Sequence, residues 1–253
     1  MIDFDLDAGD DRLKDVFHRL NRTYYSLSAI EKISSEYSAS EFLLVGRVLA
    51  GEILKEAPAG MEEQVEIGSE DAQQDQIPAN IFSRDPGVDD RIWEWILTEA
   101  EGPFSQIVKA GNIFTPFEFD RKVPLMFALN VMGTYLAGYY NRNDRVRKFL
   151  DDSAEFFAEK EEVIEVMNDT ASFIAAMNLP EDSVWWNKAN FFTLVVELAR
   201  HAELRVQNAA DAAAKITTLS ANFPTDYALA AREAVNGKAQ RELRGAKVRQ
   251  ALG

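Results

Sequence analysis

Two histidines, no cysteine and 42 aspartates and glutamates bound the chemistry open to this 253-residue chain. Without a thiol there is no disulfide framework, thiolate zinc site, iron-sulfur cluster or cysteine nucleophile. His18 and His201 are too few for a histidine-rich metal centre, and they leave little for a Ser-His-Asp triad. His18 could act as a lone general base, but it lies off the Leu13, Phe17, Leu20 stripe and is expected at the surface. His201 follows Arg200 at the end of an apolar helix, where a cationic group complements the helix dipole. The chain has no Gly-x-x-x-x-Gly-Lys-Ser/Thr, Gly-x-Gly-x-x-Gly, His-Glu-x-x-His or calcium-loop pattern. Glu155, Glu159 and Glu162 fall at helical spacing with Glu161 and Glu165 beside them. A carboxylate-bridged metal pair would also need histidines at i, i+3, so a solvated acidic face is expected. No catalytic residue, metal ligand or cofactor is assigned.

Two clusters could meet a nucleic acid. Trp185, Trp186, Phe191 and Phe192 could stack on bases if exposed, but they lie at helical spacing beside Leu194, Val195 and Leu198 with no interleaved cations, which is the pattern of a core. From Arg232 onward six cations meet only Glu233 and Glu242, so this stretch carries about +4 and the rest of the −15 chain about −19. Arg241, Arg244 and Lys247 recur every third residue and are candidates for phosphate or DNA contact through guanidinium forks. The alternative is a C-terminal helix whose positive face docks on the acidic body.

The elements that must position these groups are helices. Hydrophobic residues make up 47% of the chain, with 16 Phe and 4 Trp, enough for a packed core. Residues 2–6 alternate apolar and acidic, as a short half-buried strand does; they either join the sheet of a partner chain by strand addition or form a disordered tail. A first helix is expected from Asp10 to about Asn21. Ser28-x-x-Glu31 and Ser38-x-x-Glu41 both read as capping boxes, the second opening a helix with Phe42, Val45, Val48, Leu49 and Ile53 on one face. Residues 56–87 read as a long acidic loop. Helices are then expected around Arg91–Thr98, a shorter one holding Phe104, Ile107 and Val108, a central buried one from Phe117 to Tyr140 interrupted early by Pro124, and others around 144–158, 160–177, 183–206, 208–220, 224–235 and 238–251. The expected fold is all-α: a multi-helix bundle of antiparallel helices with short loops, one domain over 9–253 behind a strand or tail at 1–8. No segment reaches the roughly 18 apolar residues of a membrane span, and Met1-Ile-Asp-Phe-Asp-Leu-Asp lacks the regions of a signal peptide. The expected compartment is the cytoplasm.

Three stretches carry a resemblance. Val16-Phe17-His18-Arg19-Leu20-Asn21-Arg22-Thr23, followed by Leu27-Ser28 and Glu31 to Phe42, resembles the Phe-x-Arg-Leu-Asn stretch of GmrSD-type, ParB/sulfiredoxin-like restriction proteins. Trp186-Asn187-Lys188-Ala189-Asn190-Phe191-Phe192-Thr193-Leu194 is similar to that family's Lys-x-Asp/Asn-Phe-Phe-x-Leu segment, and Tyr227 to Arg244 to its closing Tyr and paired arginines. The order matches the family's over nearly the whole chain. The family's Asp-Gly-Gln-Gln-Arg motif and HNH-type nuclease domain are missing: the only Gln-Gln pair is Gln73-Gln74, within Ala-Gln-Gln-Asp. Ile33 stands where the family has an arginine, and Ser38-Ala39-Ser40 replaces its small glycine turn.

The resemblance implies the helical half of such a protein, either a fragment or one subunit of a split system. It implies a non-catalytic accessory or partner subunit in nucleotide-dependent restriction of foreign or modified DNA, with a protein partner supplying the ParB-like domain. Arg19 and Asn21 would face the nucleotide pocket that the partner completes, and DNA would be reached through the C-terminal helix. The other reading is an acidic interaction protein that binds and inhibits a nucleic-acid enzyme, its charge steering the encounter.

Overall fold

The structure, a computed structural model, describes residues 27–55, 87–110 and 113–253. The expected strand at 2–6, the first helix with His18, Arg19 and Asn21, and all but the last residue of the acidic stretch at 56–87 lie outside the described residues.

Twelve α-helices make up the described fold: α1 (Ala29–Glu36), α2 (Glu41–Leu49), α3 (Asp90–Glu99), α4 (Pro103–Lys109), α5 (Pro116–Asp120), α6 (Val123–Ala137), α7 (Val146–Asp152), α8 (Lys160–Ala176), α9 (Lys188–Arg200), α10 (Ala209–Ala221), α11 (Thr225–Ala230) and α12 (Lys238–Leu252). Short 3-10 turns at Val184–Trp186 and Ala202–Arg205 flank α9. The described residues contain no β-strand. None of their helices is long and apolar enough to cross a membrane.

The middle of the molecule is a four-helix arrangement in which α6 and α8 each touch both α2 and α9. In this arrangement α2 and α9 are buried on nearly every side, and α6, which carries no charged residue, packs on both. Every residue of α2 is buried, and so is every residue of α9 from Asn190 to Ala199. A helix apolar nearly all round is stable only when neighbours surround it. Removing one such Leu or Phe side chain from water contributes about 1.5–3 kcal/mol. Gly46 lets α2 approach α6, since a Cβ there would meet Leu129 Cδ2 at 2.7 Å. Phe42 stacks on Phe149 with centroids 5.3 Å apart and meets the edge of Phe157 at 5.1 Å, tying α2 to α7 and the start of α8. Outside this centre, α4 lies on α8 and α2, and α12 lies across α9, α10 and α11.

Local signals account for several ends. The Ser28–Glu31 capping box forms as expected: Glu31 N donates to Ser28 Oγ at 3.3 Å and Ser28 N donates to the Glu31 carboxylate at 2.5 Å. The expected box at Ser38 does not form. Ser40 is the N-cap of α2 without a side-chain cap, and Glu41 instead accepts from Phe157 N at 2.8 Å and Lys160 Nζ at 2.9 Å. Its carboxylate clamps α8 to α2. The expected single helix over Phe117–Tyr140 is two helices, α5 and α6, broken at Lys122 (φ 54°), with Pro124 in the first turn of α6 where its missing N–H costs nothing. Gly138, at φ 76°, ends α6. The expected helix at 183–206 is α9 between its two 3-10 turns.

Candidate functional site

The C-terminal cations were the sequence's main candidates for contact with phosphate, and the structure places them differently. On α12 the buried residues are Arg241, Arg244, Gly245, Val248 and Leu252. These positions form one helical face, and that face packs on α9, α10 and α11. Arg241 is 4% exposed and Arg244 is 1% exposed. Arg244 donates from Nε to Thr193 Oγ1 at 3.1 Å, from Nη1 to Ala230 O at 2.5 Å and from Nη2 to Val235 O at 3.1 Å. Arg241 donates from Nη1 to Tyr140 O at 3.1 Å and Arg142 O at 3.2 Å, and its guanidinium lies 4.6 Å above the Phe192 ring centroid. Neither guanidinium has a carboxylate partner among the described residues. Burial lowers both pKa values from the ordinary guanidinium value, yet arginine stays charged.

Arg241 and Arg244 thus do not belong to the expected exposed cationic face made by Arg241, Arg244 and Lys247. Two of its three members are interior groups that satisfy backbone carbonyls, and duplex phosphates cannot reach them. Lys247 is half-buried on another side of α12 and pairs with Asp226 at 3.2 Å. Lys238 pairs with Glu242 at 3.6 Å and Arg249 with Glu197 at 2.5 Å. Docking on the acidic body describes Lys247 and Arg249, whereas Arg241 and Arg244 dock on carbonyls and Lys238 pairs within its own helix.

A cavity of about 1040 Å³ opens beside Arg241 and Arg244. Its walls come from the residues just before α5, from α6 and the loop after it, from the turn leading into α9 with the first turns of α9, and from the α11–α12 region. Phe114, Phe127 and Trp186 give it apolar faces, and Lys188, Asn130 and Asn236 add polar groups. Lys188 is held by Glu118 at 2.6 Å and lies 5.6 Å from the Phe114 ring centroid. Two residues of the cavity lining each hold a buried atom without a hydrogen-bond partner, Asn130 Oδ1 and Arg241 Nε. The Asn130 amide nitrogen is occupied, donating to Met126 O at 2.8 Å and Asn143 Oδ1 at 2.9 Å. Burial of the neighbouring Tyr140, whose hydroxyl donates to Asn130 O at 3.4 Å, raises its phenol to about 12.

A second polar cluster lies further along α9, toward its C-terminal end. Glu197 is fully buried and accepts from Tyr139 Oη at 2.5 Å and Arg249 Nη1 at 2.5 Å. Burial, then the Glu197 charge, pushes the Tyr139 phenol far above its ordinary value. His201 sits 3.6 Å from Glu197 and 3.3 Å from Glu203, a half-buried group at the end of α9. A tyrosine held this firmly protonated is a hydrogen-bond donor, and the cluster ties α9 to α12 and the end of α6.

Trp185 is buried and donates from Nε1 to Ile216 O at 3.2 Å. Trp186 is half-buried, and Phe191 and Phe192 are core residues. Glu155, Glu159, Glu161, Glu162 and Glu165 are exposed, and Glu162 accepts from Tyr135 Oη at 2.6 Å. No group of three or more potential metal ligands occurs among the described residues. Arg19 and Asn21 lie outside them. Sequence reasoning overlooked Asn130 and Glu197, although each carried a signal as the lone amide or carboxylate inside an otherwise apolar helical run.

No protein-family model matches the chain, and neither a curated protein nor a solved structure matches it.

Proposed function

We propose that the chain is a non-catalytic helical partner module of a nucleotide-dependent, ParB-like system that restricts foreign or modified DNA. What supports this is the use made of the residues that carry the resemblance. Asn190 and Thr193, from the Trp186–Leu194 stretch, are joined to Tyr227 and Arg244, from the closing stretch. Tyr227 Oη donates to Asn190 Oδ1 at 3.0 Å, and Arg244 Nε donates to Thr193 Oγ1 at 3.1 Å. Contacts spanning 37 and 51 residues of sequence thus meet in one hydrogen-bonded lock between α9, α11 and α12. A helical module related to that family would share such a lock, because it sets the fold whatever chemistry the partner performs. In this reading Arg19 and Asn21 face a nucleotide pocket completed by a protein carrying Asp-Gly-Gln-Gln-Arg, the guanidinium on phosphate and the amide hydrogen-bonding in both directions. DNA contact belongs to the partner, since Arg241 and Arg244 are internal.

The test is assembly. Mixed with a ParB-like protein bearing that motif, the chain should sediment as a defined complex. Independent sedimentation at micromolar concentrations of both would overturn the reading.

The internal placement of Arg241 and Arg244 also favours a second reading, an acidic protein that occupies the basic surface of a nucleic-acid enzyme. With those cations inside and Lys238, Lys247 and Arg249 paired, little positive surface on α12 offsets the −15 charge. Such binding would weaken steeply with salt and would inhibit the enzyme bound. A complex that persists in high salt without inhibition would exclude it.

A further inference from the structure

The two buried arginines of α12 differ in one respect. All three guanidinium nitrogens of Arg244 are engaged by oxygens about 3 Å away or closer. On Arg241 both hydrogens of Nη1 are used, by Tyr140 O and Arg142 O. Nη2 reaches only Asn236 Oδ1, at 3.5 Å, and Nε has no partner. In a guanidinium, Nε–H and one Nη2–H lie parallel along the side edge, the pair of donors that takes two oxygens of a carboxylate or phosphate. Arg241 therefore keeps its oxyanion-binding edge unpaired, though buried, while its far end is fixed by backbone and the Phe192 ring beneath sets its plane. An unpaired buried N–H on a cation is costly in a finished protein interior. Here the residue borders a cavity of about 1040 Å³, at the upper end of the sizes that hold small ligands.

We infer that this cavity binds a small organic oxyanion carrying a flat ring, with the side edge of Arg241 on the charged group and the ring against Phe114, Phe127 and Trp186. The lining carries Lys188, Arg232, Arg241 and Arg244 against Glu181 and Asp182, and Arg232, which is exposed, adds positive charge that draws an anion in. Asn130 Oδ1, the unmatched acceptor on the wall, takes a hydroxyl or ring N–H of the ligand. Phosphate and carboxylate both fit the fork. Binding as proposed uses neither Arg19 nor Asn21 and needs no partner protein, so the assembly proposal and this one fail separately.

Calorimetric titration of the full chain tests it with 1-naphthyl phosphate and 1-naphthylacetate, and with inorganic phosphate, acetate and neutral 1-naphthylethanol as controls. At least one naphthyl anion should bind saturably at one site, at least about tenfold more tightly than its ringless or neutral counterpart; which of the two binds better separates phosphate from carboxylate. Arg241→Lys keeps the charge but loses the fork and should weaken binding about tenfold or more. Arg232→Glu alters an exposed residue and should weaken binding about fivefold or more with the melting curve of the free protein unchanged. Should Arg241→Lys not fold, Arg232→Glu decides alone. No saturable binding of either naphthyl anion up to about 5 mM, or equal binding by wild type and the folded variants, overturns the inference.

Discussion

Replacing Arg244 by methionine separates an internal lock from a surface cation. Methionine fills much of the volume of the arginine stem, so the change removes chiefly the three hydrogen bonds to Thr193 Oγ1, Ala230 O and Val235 O. Hydrogen bonds from a charged donor are each worth about 1.5–3 kcal/mol, a gross loss of about 4.5–9 kcal/mol. Against this, the variant no longer holds a guanidinium out of water, a cost of several kcal/mol for a buried ion. The net loss should be about 3 kcal/mol, at the lower end of what breaking a buried charged contact costs. Urea unfolding followed by tryptophan fluorescence and far-ultraviolet circular dichroism measures it, and both probes should shift together. Lys247→Met, which removes only a half-exposed ion pair with Asp226, is the control and should leave the midpoint nearly unchanged. A surface arginine would cost within about 0.5 kcal/mol. If Arg244→Met costs less than about 1 kcal/mol, the lock between α9, α11 and α12 does not hold as described.

Gly245→Ala should destabilise the protein although alanine is ordinarily favoured over glycine in a helix by about 1 kcal/mol. A Cβ at 245 would meet Tyr139 Oη at 2.6 Å and Glu197 Cδ at 2.9 Å, an overlap of the kind that costs about 1–3 kcal/mol, and a raised melting temperature would show that α12 does not pack this closely on α9. Thr115→Ala should cost about 1 kcal/mol through loss of the N-cap of α5, read as a lower urea midpoint; an unchanged midpoint would contradict the cap. Burial raises the Glu118 pKa, but hydrogen bonds from Lys188 and Thr115 outweigh it and hold the carboxyl below its ordinary 4.5. A depressed folded-state pKa contributes stability that is present above the ordinary value and lost as pH falls through the folded one. Stability should therefore drop as pH falls from about 5 through the depressed value, and Glu118→Gln should flatten that part of the profile; the same slope in both proteins would refute the assignment.

Helix type and order were legible in the sequence because the 3.6-residue period survives wherever one face is buried, as in α3 and α8. The Ser28–Glu31 box was legible because both partners lie in one turn. The Ser38–Glu41 box failed for a long-range reason: the Glu41 carboxylate is more fully satisfied by Phe157 N and Lys160 Nζ, more than 100 residues away. Pro124 correctly marked an irregularity in the long apolar stretch, but the break falls before it, at Lys122, because proline suits a first turn.

The candidate site was less legible. Arg241, Arg244 and Lys247 recur every third residue, and charge alone suggested an exposed stripe. The helix buries Arg241 and Arg244 together with Val248 and Leu252, while Lys247 falls to one side. Cations on a core-facing position could be recognised only by asking which carbonyls they satisfy, and those carbonyls come from the end of α11, the α11–α12 connection and the loop after α6. The Arg241 edge is still harder to read, since it depends on a distance of 3.5 Å to Asn236 and on a missing partner at Nε.

Nucleotide hydrolysis by a reconstituted pair tests the central claim most directly. The purified chain alone should hydrolyse no nucleotide. A ParB-like protein carrying Asp-Gly-Gln-Gln-Arg should hydrolyse nucleotide at least about tenfold faster when the chain is added, and Arg19→Ala in the chain should abolish that gain without disturbing the complex. Hydrolysis by the chain alone, or a partner rate indifferent both to the chain and to Arg19→Ala, would contradict the account.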